Sequence, residues 1–385
     1  MRSRRRTRVF FTLDFPPKEG GIAEWSVQMA RGLARMGERV VVFCRKKVLA
    51  DGSFYRTEPF RVVSMGGRNW AGLKHFYLLY YTLKVRVICG PATIYAAHWE
   101  LGVVPSMLSC LLRFNVVTTA HGWEITKKGG RRRRILERYA LRHANLILAV
   151  SQYTRDRVLE AGGRPDRLRV VSNGVDTRKF HPAPRREDLM ARFGLHGRRV
   201  LLTLSRIVER KGHDRVIEAL PRVSERIPQV CYLIGGRGDY QRVLEAKADR
   251  LGVRERVRFA GYVSDDLLND FYNLAEVYVM PCRELSDQGN VEGFGITFLE
   301  AGACGLPVIG GRSGGVEDAV VDGETGVLVD PSDVDTLAQA IIRLLTDRPL
   351  ARRMGEAGRK RAEGFSWDRT VRQVLDLSRH VELYP

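Results

Sequence analysis

Short β-branched runs alternate with amphipathic stretches along the whole chain. Arg8–Leu13, Arg39–Phe43, Thr93–His98, Asn115–Thr119 and Asn145–Val150 are apolar-rich, without the in-out alternation of a half-exposed sheet. Such runs predict strands buried on both faces. Between them, Ala23–Met36 and Arg131–Leu141 carry helical spacing. A turn-rich stretch follows, Ser172-Asn173-Gly174-Val175-Asp176 and then His181-Pro182-Ala183-Pro184. The alternation then restarts with Arg199–Leu204, Val230–Ile234, Arg256–Phe259, Glu276–Met280 and Pro307–Ile309. Strands separated by helices predict parallel sheets covered on both faces. The expected fold class is α/β, with two doubly wound Rossmann-like domains joined near residues 173–185. Ligands of such sheets sit beyond the carboxyl ends of the strands, so the cleft between the domains is the expected site.

Length and composition agree with this reading. The chain has 385 residues, 44% hydrophobic and 28% charged, and single cores stop growing near roughly 250–300 residues. No apolar run reaches the ~18 residues that span a bilayer. The basic start, Met1 to Arg8, leads into Val9-Phe10-Phe11-Thr12-Leu13, too short for a signal-peptide core. Six scattered cysteines show no CxxC and no zinc-like grouping with His, which predicts structural thiols in a reduced, cytoplasmic compartment.

Charge changes the picture more. The net charge is +20, and residues 1–182 hold 34 Lys+Arg against 13 Asp+Glu, while residues 183–385 hold 30 against 31. One half carries the whole excess, so that half is expected to meet something anionic. Anionic lipid, an acidic sugar chain and nucleic acid all qualify on charge alone. Within that half, Trp70–Arg86 mixes Phe76, Tyr77, Leu78, Tyr80 and Tyr81 with Lys74, Lys84 and Arg86. An interfacial helix has that composition, and so has a packed helix with a solvated basic face. Arg131–Arg134 is the one biased run.

Several motifs stand at predicted strand ends. Gly20 and Gly21, in Pro16-Pro17-Lys18-Glu19-Gly20-Gly21, open a helix and let backbone approach a phosphate or a sugar. No GK[ST] follows, so this is not a Walker loop. His121, in Thr119-Ala120-His121-Gly122, follows a strand, and His98 has a similar place with a weaker claim. Arg206 and Lys211, five residues apart after Val200–Leu204, can clamp two adjacent phosphates. The strongest signal is Glu292-Gly293-Phe294-Gly295-Ile296-Thr297-Phe298-Leu299-Glu300. Its glycines expose N–H groups at a helix start, where the dipole attracts phosphate. Glu292 can accept hydrogen bonds from sugar hydroxyls, and Glu300, two turns on, from a ribose. A glycosidase pair would also use two carboxylates, but the phosphate-seeking surroundings argue against it. Asp333-Val334-Asp335 is formally a metal-holding DxD, yet after Asp330-Pro331-Ser332 it reads as a helix cap. No metal and no cofactor are expected.

Taken together these residues resemble a retaining family 4 glycosyltransferase with the GT-B fold, over nearly the whole chain. The family's Glu-x7-Glu element appears as Glu292…Glu300, its diphosphate pair as Arg206 and Lys211, its glycine loop as Gly20-Gly21 and its sugar-site histidine as His121. The segment Asn173-Gly174-Val175-Asp176…Phe180-x-Pro182 is similar to the family's interdomain segment. The resemblance implies an acceptor-binding domain over 1–182, a nucleotide-sugar-binding domain over 183–365, and a last helix over 366–385 that crosses back to the first. It implies a donor held by Gly20, Gly21, Arg206, Lys211, Glu292, Gly293, Phe294, Gly295, Ile296, Thr297 and Glu300, with catalysis resting on His121, Arg206, Lys211 and Glu292. Met280-Pro281-Cys282-Arg283…Asn290-Val291-Glu292 and Ala303-Cys304-Gly305-Leu306-Pro307 look most like GDP-mannose-dependent mannosyltransferases of phosphatidylinositol mannosides and related glycans. UDP-sugar enzymes also carry this loop. The implied partners are a nucleotide sugar and a glycan or lipid-linked acceptor of the cell envelope. The basic half and the composition of Trp70–Arg86 add the expectation of an anionic membrane surface, met from the cytoplasmic side. A sugar-nucleotide epimerase of the same fold and a non-catalytic polyanion-binding protein are the alternatives. Nucleic acid is not expected, since no helix-turn-helix, RNA-recognition or OB-type pattern occurs.

Overall fold

A computed structural model of the chain describes residues 6–45, 57–66, 70–285 and 289–383. Met1 to Arg5 of the basic start, and the side chain of Trp70, lie outside the described residues. The chain divides into two compact units, Met1–Asn173 with Trp367–Pro385, and Gly174–Ser366. The first unit ends at Asn173, ahead of residue 182. Local bonding explains why: Val175 N–H donates to Phe365 O at 2.7 Å, and His181 N–H to Asn269 Oδ1 at 3.0 Å. Phe180 meets the Tyr272 ring edge-on at 5.7 Å. The interdomain segment is thereby stitched into the second unit.

The first unit holds β1 (Thr7–Thr12), β2 (Val40–Arg45), β3 (Arg61–Met65), β4 (Ala92–Ala96), β5 (Asn115–Ala120), β6 (Leu146–Ala149) and β7 (Leu168–Val170). They form one parallel sheet in the order β3-β2-β1-β4-β5-β6-β7. The second unit holds β8 (Arg199–Leu204), β9 (Val230–Gly235), β10 (Val257–Gly261), β11 (Val277–Met280), β12 (Val308–Gly311) and β13 (Gly326–Val329). These are also all parallel, in the order β10-β9-β8-β11-β12-β13. All six residues of β1 and of β9 are buried, as strands covered on both faces must be. Strand order reverses between β1 and β4, and again between β8 and β11. Each reversal opens a crevice at the carboxyl ends of the flanking strands.

Three strands escape the periodicity. β3 alternates exposed and buried residues, β7 is three residues long, and β13 is a four-residue strand at the sheet edge. Short edge strands carry too little apolar run to stand out.

The last helix, Trp367–Leu383, packs on the helix Gly21–Arg35 of the first unit. A Cβ on Gly32 would lie 2.5 Å from a methyl of Val371, so glycine there permits the close approach. Buried polar groups fix the helix in place. Arg8, 2% exposed, donates from Nε to Glu38 at 2.7 Å and pairs with Glu382 through Nη1. Arg379 reaches the other oxygen of Glu38 at 2.7 Å, Thr93 donates to Glu382 at 2.6 Å, and Tyr95 to Ser378 at 2.9 Å.

Candidate active site

In the second unit, the loops after β8 and β11 flank the strand-order reversal. The β8 loop carries Ser205, Arg206 and a 3₁₀ turn over Glu209–Lys211. The β11 loop runs from Pro281 towards Glu292 and the helix Ile296–Ala303. Gly212 lets the two loops meet: at φ +76°, a Cβ there would stand 2.2 Å from Pro281 O. Arg283 N–H donates to Arg210 O at 2.9 Å, and the Arg283 guanidinium forks onto Asp214 at 2.8 and 3.0 Å.

Glu292 is the centre of the cluster. Its Oε2 accepts from Lys211 Nζ at 2.6 Å and from Arg210 Nη1 at 2.7 Å. The three side chains are 9–14% exposed. Burial disfavours the ionised carboxyl, yet the charges of Lys211 and Arg210 outweigh it and hold Glu292 far below the usual carboxylate range. Its carbonyl is fixed as well, accepting from Gly315 N–H at 2.8 Å. Gly295, at φ +88°, caps the helix Ile296–Ala303, whose first N–H groups have no partner within the helix. Glu300 lies on this helix and accepts from Tyr272 OH at 2.7 Å.

The cation that shares Glu292 with Lys211 is Arg210, the residue before it; Arg206 is exposed in the same loop. Sequence reasoning passed over Arg210, although its place beside Lys211 in a tight turn was a usable signal. It also passed over His213, which is fully buried. His213 Nε2 lies 3.1 Å from Ser205 Oγ and Nδ1 3.1 Å from Tyr232 OH. Burial pushes its imidazole down to about 4, so it is neutral at pH 7 and fixes the start of the loop.

Asp333 caps the helix Val334–Thr346, accepting from Thr336 N–H at 2.9 Å, and Asp335 pairs with Arg222 at 2.5 Å. Among the described residues no group of three or more His, Cys, Asp and Glu could hold a metal ion.

In the first unit, the loops after β1, β4 and β5 carry Gly20-Gly21, His98 and His121. Gly20, at φ +131°, precedes the helix Gly21–Arg35, and a Cβ on either glycine would meet open space. His121 stands edge-on to Trp25 at 5.3 Å. Burial, with His98 nearby, pushes its ring down to about 3. One ring nitrogen is bonded to the backbone of Ala97, and Nε2 is buried without a protein partner. A neutral imidazole bonded that way presents Nε2 as an acceptor. Glu124, 4% exposed, accepts from His121 N–H, and its own carbonyl accepts from Trp99 Nε1 at 3.0 Å and Arg133 Nη2 at 2.5 Å. The loop that carries His121 is thus held from three sides. Arg133 therefore turns inward, stacked 4.9 Å from the Trp99 ring, while Arg131, Arg132 and Arg134 are exposed.

The helix Trp70–Cys89 has its inner face on Leu78, Tyr81 and Val85. Its outer face is apolar, with Leu73, Phe76, Tyr80, Leu83 and Val87 exposed by 45–86%. Lys74 is held by Glu100 at 2.6 Å. Arg86 is exposed as well and Lys84 is half-buried, so apolar and basic side chains share the outward side. Among the described residues no helix is long and apolar enough to cross a membrane.

Comparison with known proteins gives one consistent result. Residues 19–179 match the family model described as Glycosyltransferase Family 4, and residues 185–361 match Glycosyl transferases group 1. A GDP-mannose-dependent alpha-(1-6)-phosphatidylinositol monomannoside mannosyltransferase of Mycolicibacterium smegmatis is 41% identical over 384 residues, covering 96% of this chain and 97% of that protein. Among solved structures, sucrose-phosphate synthase from Thermosynechococcus elongatus superposes with a TM-score of 0.85 at 24% identity, over 99% of this chain and 100% of that one. Anabaena Alr3699/HepE in complex with UDP and glucose gives 0.79 at 23% identity, over 96% and 99%. These two likenesses show a shared fold.

Proposed function

The chain belongs to the group 1, family 4 glycosyltransferases of GT-B fold, and we propose that it transfers mannose from GDP-mannose to a phosphatidylinositol mannoside with retention of configuration. Three findings support this reading. The Mycolicibacterium relative is named for that donor and that class of acceptor. Lys211, Arg210 and Glu292 converge where strand order reverses, and the helix starting at Ile296 opens beside them. Lys211 carries the most weight, because charge on the leaving diphosphate grows as the glycosidic bond breaks and a cation placed beside it stabilises that charge.

In this reading Arg206 and Lys211 bind the diphosphate, and amides of Gly293 to Thr297 hold the phosphate nearer the sugar. Glu292 accepts from sugar hydroxyls, Glu300 from the ribose, and His121 Nε2 from a hydroxyl near the reacting carbon. The acceptor oxygen bonds to the anomeric carbon on the face the diphosphate leaves, and its proton passes to the departing phosphate oxygen. The products are GDP and the extended glycolipid. A hydrolysis assay over a panel of nucleotide sugars tests the donor: GDP-mannose is expected to be consumed fastest, and a UDP-sugar turned over faster would overturn the assignment.

With two cations and a helix start to neutralise the diphosphate, turnover is expected to persist in excess chelator. Loss of turnover in chelator, restored by magnesium or manganese, would contradict this.

The acceptor's lipid tail places the reaction at a bilayer, and the exposed apolar face of Trp70–Cys89 fits that surface. Apolar side chains insert at the headgroup boundary while surrounding Lys and Arg meet anionic lipid. Binding to anionic vesicles at low salt is expected to exceed binding to neutral ones, and to fall in Phe76→Ser. Equal sedimentation with both vesicle types would rule out the electrostatic part.

A further inference from the structure

Glu292 spends one carboxylate oxygen on two cations. Lys211 Nζ lies 2.6 Å and Arg210 Nη1 2.7 Å from the same Oε2. A diphosphate arriving at Lys211 competes for that ammonium. If Lys211 turned to it and nothing else faced Glu292, a buried carboxylate would stand unpaired, at a cost of several kcal/mol. The carboxyl would then take up a proton, and a neutral Glu292 would be a poor acceptor for sugar hydroxyls.

The neighbours of Glu292 show which group can prevent this. Cys282 and Tyr278 both feel its charge, but burial pushes the Cys282 thiol up to about 11 and holds the Tyr278 phenol well above its ordinary value, so neither is charged at neutral pH. Arg283, the other cation near Cys282, is committed to Asp214 and Glu209. Arg210 remains. Its guanidinium does not deprotonate in proteins, and its carbonyl is pinned by Arg283 N–H at 2.9 Å.

Resting on the donor reading above, we propose that Arg210 is a positioning residue that keeps Glu292 ionised and aimed at the sugar while Lys211 passes from the carboxylate to the diphosphate. Two cations on one acid are then a division of labour: one travels to the donor and the other stays.

Calorimetric titration of GDP into the full-length protein, repeated in buffers of different ionisation enthalpy near pH 6.5, counts the protons taken up on binding. The nucleotide's own contribution is common to all variants and cancels in the comparison with wild type. Arg210→Met is expected to bind GDP with an extra uptake of roughly half a proton or more, and to lose about tenfold or more in kcat with a smaller change in KM. Adding Glu292→Gln to Arg210→Met is expected to abolish the extra uptake. Arg210→Lys is expected to restore wild-type stoichiometry, which a purely structural role for the arginine would not require. Arg210→Gln repeats the measurement in case the methionine variant does not fold. Wild-type proton stoichiometry and turnover in Arg210→Met or Arg210→Gln, with GDP still bound, would overturn the assignment of Arg210 alone. Failure of the wild-type protein to bind GDP would overturn the donor reading and this inference with it.

Discussion

Lys211→Ala is expected to lower turnover about thirtyfold to thousandfold, the roughly 2–4 kcal/mol that one lost charged partner of a developing anion costs. The Lys211 side chain is 9% exposed, with its ammonium beside Glu292 and the Met280 sulfur, so water replaces it poorly. Charge on the diphosphate rises as the sugar bond breaks, and the loss therefore falls mainly on kcat. Glu300→Gln is expected to behave differently. A ribose contact is made equally in the ground and transition states, so the donor's KM rises while kcat holds. Steady-state kinetics on the two variants, beside calorimetric affinity for GDP, separates these outcomes. Wild-type turnover in both Lys211→Ala and Glu292→Gln would mean that the reaction takes place elsewhere.

Glu38→Ala is expected to destabilise the first unit by about 3 kcal/mol, because it leaves Arg8 buried with one of its two carboxylate partners gone. Glu38 is fully buried between Arg8 and Arg379, and the terminal helix hangs on that bridge and on Glu382. Burial opposes its ionised form, but the bonds from Arg8 and Arg379 prevail and hold the carboxyl below its usual range. The stabilisation is therefore complete above the unfolded carboxylate value of about 4.3 and is lost as pH falls through the lower folded value. Urea unfolding should show a large gap between wild type and variant at pH 7 that narrows on acidification below about pH 4. A constant gap down to pH 3 would contradict the ionic origin.

Most of the fold was legible in the order of apolar runs. β8 matches the run Arg199–Leu204 because both of its faces are buried and nothing interrupts it. β3 was missed because it alternates between solvent and core, and β7 because three residues carry no period. The site divided in the same way. Lys211, Glu292 and Glu300 stood in motifs at strand ends, where sheet topology gathers ligand-binding residues. Arg210, which shares Glu292 with Lys211, went unnoticed because that contact depends on how the loop after β8 turns, and its place next to Lys211 was the one signal for it. Charge arithmetic counts Arg8 and Arg133 in the basic excess of the first half, yet Arg8 is buried in β1 and Arg133 faces inward. Net charge counts residues, whereas location depends on the acids they find across the fold.

The most direct test of the central claim is transfer itself. Purified protein is incubated with labelled GDP-mannose and a phosphatidylinositol mannoside presented in anionic vesicles, and the anomeric configuration of the new linkage is read by NMR. An α-mannosyl product that disappears in Lys211→Ala is the predicted result. A β-linked product, or label that stays in GDP-mannose with the wild-type protein, would contradict it.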